Sequence, residues 1–205
     1  MTSINASSVQ KGIKAFPKRS ASGYPGSFPL GFLEWVQESG FWGDDRIYLC
    51  CGGVVDEAAD KVDIQTHIAE EVKGRKGLNA NMMRSRTTTT TANIIADARN
   101  TKLPSESYDW VMIDPPYTSH LAETMYGTEK VFSGVDEFVK EGFRLCRPGG
   151  LICILHYHIP KEPIGSDLVA VWGIYQVPQT RFLSAFTVFQ KHGKRRSQGL
   201  ELWTV

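Results

Sequence analysis

At 205 residues the chain is long enough for one domain with a substantial buried core and too short for two of ordinary size. Hydrophobic residues at 41% and charged residues at 22% exclude a disordered or fibrous chain, and a net charge of +1 excludes a broad basic face as the means of gripping a nucleic acid. No apolar run reaches the roughly 18 residues of a membrane span and no charged-then-apolar leader opens the chain, so a cytoplasmic protein with no membrane partner is expected.

In chain order, residues 1–29 read as irregular, punctuated by Pro17, Ser20, Ser22, Gly23, Pro25, Gly26 and Pro29. A helix is predicted from near Leu30, where Phe32, Leu33, Trp35 and Val36 recur at helical spacing before Gly40 and Gly43. Arg46 to Cys50 reads as a strand running into Cys51-Gly52-Gly53, and Lys61 to Ile64 as a second strand. Residues 65–91 lack apolar periodicity, end in five threonines and read as a flexible insertion. Order returns with the apolar runs Ala92 to Ala96 and Tyr108 to Ile113, each followed by an aspartate, Asp97 and Asp114. A helix is predicted from about Val131 to Cys146, with Val135, Phe138, Val139 and Phe143 on one face and an Arg147-Pro148-Gly149-Gly150 turn closing it. Leu151 to Leu155 has the unbroken apolar character of a strand buried on both faces. Leu168 to Val177, Ala185 to Phe189 and Leu200 to Val205 read as strands of an antiparallel carboxy-terminal edge.

Strands alternating with helices, with acidic residues at strand ends, predict an α/β, mostly parallel, doubly wound sheet whose ligand crevice lies beyond the carboxyl ends of the strands. Adjacent Cys50 and Cys51 with distant Cys146 and Cys153 fit neither a disulfide framework nor a zinc spacing. All four are read as reduced thiols and no metal is expected, the alternating His156 and His158 lacking cysteine or carboxylate partners. Local charge must serve any contact with nucleic acid. Two clusters qualify, Lys73, Arg75, Lys76, Arg84 and Arg86, and Lys191, His192, Lys194, Arg195 and Arg196.

Asp114-Pro115-Pro116-Tyr117, preceded by Ser107 to Ile113 and followed by a helix, Arg-Pro-Gly-Gly and another strand, resembles the signature tetrapeptide of the DNA amino methyltransferases that make N6-methyladenine or N4-methylcytosine. The resemblance spans roughly Phe16 to Phe189, is strongest over Asn93 to His158, and extends to the compact size of phage and prophage enzymes. It implies a Rossmann-like class I methyltransferase fold in a single domain, S-adenosylmethionine as cofactor and DNA as partner, with the target base flipped out of the duplex. RNA amino-group methylation and a catalytically silent binding module on the same scaffold remain alternatives. Residues 65–91 are the one generous insertion, so no separate recognition domain of about 100 residues is at hand. A homodimer or a specificity partner would supply what that leaves out.

The resemblance carries roles to particular residues. Asp114 and the carbonyl of Pro115 would accept hydrogen bonds from the exocyclic amine, drawing its delocalised lone pair toward the methyl donor. Pro115 and Pro116 would hold those acceptors rigid, and Tyr117 would stack on the base. Cys50-Cys51-Gly52-Gly53 stands where the family has its cofactor-binding turn, although Val54 replaces a common glycine and Tyr48 or Leu49 a common acid. Asp63 is the candidate for the ribose hydroxyls, with Asp56 or Glu57 as alternatives, and Asp97, beside Ala98, for the cofactor's adenine amine. Tyr24, Pro25 and Phe28 resemble the amino-terminal cofactor segment. Ser119, His120 and Tyr126 lie where a loop would close over a bound base, and His156 and His158 beside the substrate entrance.

Overall fold

In a computed structural model, residues 8–16, 28–42, 46–51, 59–63, 91–126, 134–176 and 183–193 are described, the side chains of 121 and 124–126 aside. The elements are β1 (Gln10–Phe16), α1 (Phe32–Glu38), β2 (Ile47–Cys50), β3 (Asp60–Asp63), β4 (Ile94–Ile95), β5 (Tyr108–Ile113), α2 (Ser119–Tyr126), α3 (Val135–Leu145), β6 (Cys146–His156), β7 (Ser166–Gln176) and β8 (Ser184–Lys191). They form one eight-stranded sheet in the order β1-β7-β8-β6-β5-β2-β3-β4. Every pairing is parallel except the two made by β8, which runs antiparallel between β6 and β7. The Rossmann-like, mostly parallel sheet with an antiparallel carboxy-terminal part is therefore the fold of this chain.

Each face of the sheet is apolar because the side chains of a strand alternate. Trp110 and Met112 of β5 pack with Phe32, Leu33, Trp35 and Val36 of α1 on one face. Val111 and Ile113 pack with Phe138, Val139 and Leu145 of α3 on the other. All six residues of β5 are buried, which is why the strand is apolar apart from Asp109, itself buried. The Trp110 indole N–H donates to the Phe41 carbonyl, so this largest core side chain keeps its polar atom satisfied. Among the described residues no helix is long and apolar enough to cross a membrane.

Four sequence expectations are corrected. Residues 10–16, read as irregular, form β1, whose pairing with β7 from Gln10↔Ala170 to Phe16↔Gln176 is non-local and leaves only Phe16 buried. Arg147 to Gly150 do not close a helix but lie within β6, where the pairing shifts between Tyr108↔Cys146 and Trp110↔Leu151. The segment after the tetrapeptide, read as a closing loop, is the helix α2. Lys191, assigned to a basic cluster facing nucleic acid, is only 12% exposed and donates from Nζ to the carbonyls of Phe143 (2.9 Å) and Cys146 (2.8 Å). It thus satisfies acceptors at the carboxyl end of α3, where the helix dipole favours a cation. The strand expected at Leu200 to Val205, nearly all of the 65–91 segment, the cluster from Lys73 to Arg86 and Lys194 to Arg196 lie outside the described residues.

The bulge in β6 gives a stability prediction. Gly149 has φ of 84°, and a Cβ on Gly150 would meet the Asp109 carbonyl oxygen at 2.6 Å and Cys146 Sγ at 2.7 Å. Main chain cannot yield as a side chain can. Gly150→Ala should lower stability by about 2–3 kcal/mol, read as a shift of the urea midpoint.

Candidate functional site

The chain leaves β2 for β3 and β4 on one side and returns to β5 on the other, so the order reverses between β2 and β5. At such a switch point the crevice beyond the carboxyl ends has no crossover covering it. The register pairs Cys50 with Ile113 as the last residues of the two strands. Cys51 and Asp114 are therefore the first residues past the sheet on either side of the switch point, and the Asp114 N–H donates to the Cys50 carbonyl at 3.2 Å.

Cys51 takes φ of 60°, a left-handed conformation costly for a side chain with a Cβ, and its N–H donates to the Val62 carbonyl at 3.1 Å. Cys51 directly follows β2 and precedes Gly52 and Gly53, which lie outside the described residues with Tyr24 and Pro25. A side-chain hydrogen bond with Cys50, then burial, then the charges of Cys50, Asp63 and Asp114 push the Cys51 thiol well above its ordinary value. It stays a neutral thiol near neutral pH and is no nucleophile.

Asp114 is 8% exposed and Pro115 is buried, while Pro116 and Tyr117 are half-buried. Burial pushes the Asp114 carboxyl well above the ordinary carboxylate range, and a side-chain hydrogen bond with Tyr117 acts the other way. The Tyr117 ring lies 4.1 Å from that of Tyr157, tilted by 47°, and 5.3 Å from that of His156, perpendicular to it. His156, at the end of β6, is buried. Burial and then the Asp114 charge raise the Tyr157 hydroxyl's value. The carboxyl ends of β5 and β6 therefore carry one cluster of Asp114, Tyr117, His156, Tyr157 and His158, the last 5.6 Å from His156 between ring centroids.

The acidic residues expected for the cofactor stand at successive strand ends. Asp63 closes β3, and its carbonyl accepts from Ala96 N–H at 3.0 Å. Asp97 follows β4, half-buried, and Ala98 is buried in the α3-side core. Arg99 holds the Asp97 carboxylate: Oδ1 accepts from its N–H (3.0 Å) and Nε (2.8 Å), Oδ2 from Nη2 (2.5 Å). The side-chain bond to Arg99 keeps Asp97 below the usual carboxylate range, against its partial burial. With about four lone-pair sites on a carboxylate, at least one acceptor position remains for a ligand.

Other expected residues sit differently. Phe28 is 6% exposed and stacks on Phe32 at 5.4 Å in the α1-side core. Ser119 and His120 are exposed at the start of α2, and the Tyr126 side chain lies outside the described residues. A cleft between Asp97 and α3 is lined by charges that pair with one another, Arg99 with Asp97 and Glu137, Arg144 with Glu141, Lys191 with Glu106. It does not touch the tetrapeptide. Among the described residues no three His, Cys, Asp or Glu side chains are grouped to hold a metal.

Sequence reasoning missed Tyr157 and Arg99. Tyr157 lay in view between two singled-out histidines, but strand alternation would have sent it to the opposite face. It reaches Tyr117 because β6 ends at His156 and the period of two ends with it.

No protein-family model matches this sequence, and no curated protein matches it. Among solved structures the chain is similar to an S-adenosylmethionine-dependent methyltransferase of Methanosarcina mazei, at 14% identity over 77% of this chain and 98% of that one, with a TM-score of 0.42. It is also similar to an S-adenosylmethionine-dependent methyltransferase of Aquifex aeolicus, at 12% identity over 77% and 88% of the two chains, with a TM-score of 0.40.

Proposed function

We propose that this chain transfers a methyl group from S-adenosylmethionine to the exocyclic amino nitrogen of adenine (N6) or cytosine (N4) in DNA. The observation that carries the reading is the meeting of the Cys50–Cys51 turn and the Asp114–Tyr117 tetrapeptide at the switch point of the sheet, joined by the Asp114 N–H to Cys50 carbonyl bond.

The residues at the crevice suit the cofactor's chemistry. S-adenosylmethionine presents a cationic sulfonium, two ribose hydroxyls and an adenine amine, all of which favour acceptors or negative charge. Asp63, Asp97 and Asp114, at the carboxyl ends of β3, β4 and β5, supply three carboxyl groups, and Arg99 is already paired with Asp97. Asp63 would take the ribose hydroxyls, Asp97 the adenine amine, and the turn beginning at Cys51 the methionine portion. When bound, the cofactor supplies an electrophilic methyl group.

The chain's own residues then act on the base. Asp114 accepts a hydrogen bond from the exocyclic amine and favours the pyramidal nitrogen whose lone pair can attack in line. The Pro115 carbonyl serves as the second acceptor, fixed by two prolines. Tyr117, backed by Tyr157, offers an aromatic face to a base taken out of the stack. Positioning supplies most of the rate in this scheme, and no metal takes part.

The test is transfer of a labelled methyl group from S-adenosylmethionine to unmodified DNA and, in parallel, to RNA, followed by digestion and nucleoside mass analysis. N6-methyladenine or N4-methylcytosine in DNA is expected. Label in RNA alone would overturn the choice of substrate, and cofactor binding without label in either would leave a silent binding module.

A further inference from the structure

His156 is the most buried polar side chain of the aromatic cluster, at 3% exposure, and the proposed chemistry gives it no task. Its Nδ1 accepts the His158 main-chain N–H at 3.1 Å. An accepting Nδ1 carries no proton, so the network assigns the proton of a neutral ring to Nε2. That Nε2 is buried and makes no hydrogen bond of full geometry among the described residues, although the Tyr117 backbone acts on the ring as a weak partner, and the ring stands perpendicular to that of Tyr117 at 5.3 Å.

We propose that His156 is the positioning residue for Tyr117: the neutral imidazole, pinned through Nδ1 to the His158 amide, holds the tyrosine ring edge-on, and releases it when charged. A second proton has one place to go, Nδ1, where it would confront the His158 N–H and end the bond that fixes the ring. The charge would also be buried among aromatic rings, where desolvation is costly. The groups facing His156 are His158 two residues beyond the end of β6, Tyr117 beyond β5 and the neighbouring Tyr157, with Asp114 linked through Tyr117. Burial, reinforced by the charge of His158, lowers the His156 value below the ordinary 6.5 against backbone hydrogen bonds with His158 and Tyr117 that act the other way, so the neutral form prevails at neutral pH and is lost as pH falls through that lowered value. Because Tyr117 is also bonded to Asp114, its release would disturb the acceptor.

The role of Tyr117 in holding a base rests on the proposed function, but the orientation itself can be read without activity. The full chain, labelled at histidine nitrogens and tyrosine ring carbons, would be followed by NMR from about pH 8 to about pH 5. His156 should show the Nε2–H tautomer, and Tyr117 ring resonances, assigned with Tyr117→Phe, should move with the midpoint of His156. His156→Phe should abolish that movement. His156→Asn, whose carbonyl oxygen can take the place of Nδ1 as acceptor, should restore the high-pH Tyr117 resonances and hold them across the range. Tyr117 resonances indifferent to the His156 titration, the Nδ1–H tautomer, or an unaltered Tyr117 titration in His156→Phe would each overturn the proposal. In methyl-transfer assays, His156→Phe should cost about tenfold in kcat/KM for the nucleic acid with cofactor binding unchanged. Absence of methyl transfer by the unaltered chain would count against the methyltransferase reading alone, since the resonances decide the orientation.

Discussion

Asp114→Asn is expected to lower kcat for methyl transfer by about 10²–10³-fold and to stabilise the folded chain at neutral pH on the order of 1 kcal/mol. Both effects come from one fact, a carboxylate held away from water. Asp114 is 8% exposed, and burial raises its carboxyl well above the ordinary 3.8, with the Tyr117 bond only partly offsetting it. A folded value raised above the unfolded one means that the contribution to stability is whole below pH 3.8 and is lost as pH rises through the folded value. Near neutrality the burial of this carboxyl therefore costs stability, and the uncharged amide escapes that cost. When ionised, the carboxyl is a strong acceptor for an amine, which is what the asparagine gives up. Urea midpoints and methyl-transfer rates at pH 7 and at acid pH check both sides. The stability gain should shrink toward acid, and the low-pH limb of the rate that belongs to Asp114 should vanish in the variant, leaving any limb that belongs to His156. An asparagine variant as active as the parent would remove Asp114 from the chemistry. A less stable one would show that the carboxylate is better satisfied than its burial implies.

The parts of the molecule legible in the sequence are those whose cause is local. A run apolar but for Asp109 and followed by Asp-Pro-Pro-Tyr locates β5 and the turn beyond it, because burial on both faces and two prolines leave their marks in consecutive residues. The amphipathic spacing of α3 is legible for the same reason. What was not legible depends on residues far apart in the chain. Seven residues of β1 become a strand only because β7, 160 positions later, offers an edge to pair with. Arg-Pro-Gly-Gly spells a turn, but pairing with β5 on both sides of it keeps it in the sheet as a bulge. Lys191 looks like a surface cation until α3 places two carbonyls around its ammonium. In the site, the aspartates at strand ends could be found by their positions, whereas the partner that holds Asp97 and the tyrosine that backs Tyr117 are fixed by side-chain direction, which no spacing records.

Glu141→Ala should cost about 3 kcal/mol or more of stability, with a pH dependence opposite to that of Asp114. Glu141 is buried on α3 at 6% exposure, and Oε1 accepts from Thr101 N–H (2.9 Å), Thr101 Oγ1 (2.7 Å) and Arg144 Nη2 (2.7 Å), while Oε2 accepts from Arg144 Nε (2.8 Å). Arg144 in turn donates to the Leu103 carbonyl at 2.8 Å. The carboxylate thus ties α3 to the segment between β4 and β5 that begins with Asp97. Burial alone would raise its value, but the bonds from Arg144 and Thr101 outweigh it and hold it below the ordinary 4.5. A depressed folded value gives stability that is whole above pH 4.5 and is lost as pH falls through the folded value. Alanine would leave the Thr101 donors without their acceptor and Arg144 without its counter-ion, and an unsatisfied buried donor costs more than the bond was worth. Glu141→Gln, which keeps an acceptor for Thr101 and loses the ion pair, should fall between the two. Urea denaturation at pH 7 and near pH 3 measures the difference. The gap between parent and Glu141→Gln should narrow at the lower pH, and a gap that stayed constant would show that the charge on Glu141 contributes nothing beyond its hydrogen bonds.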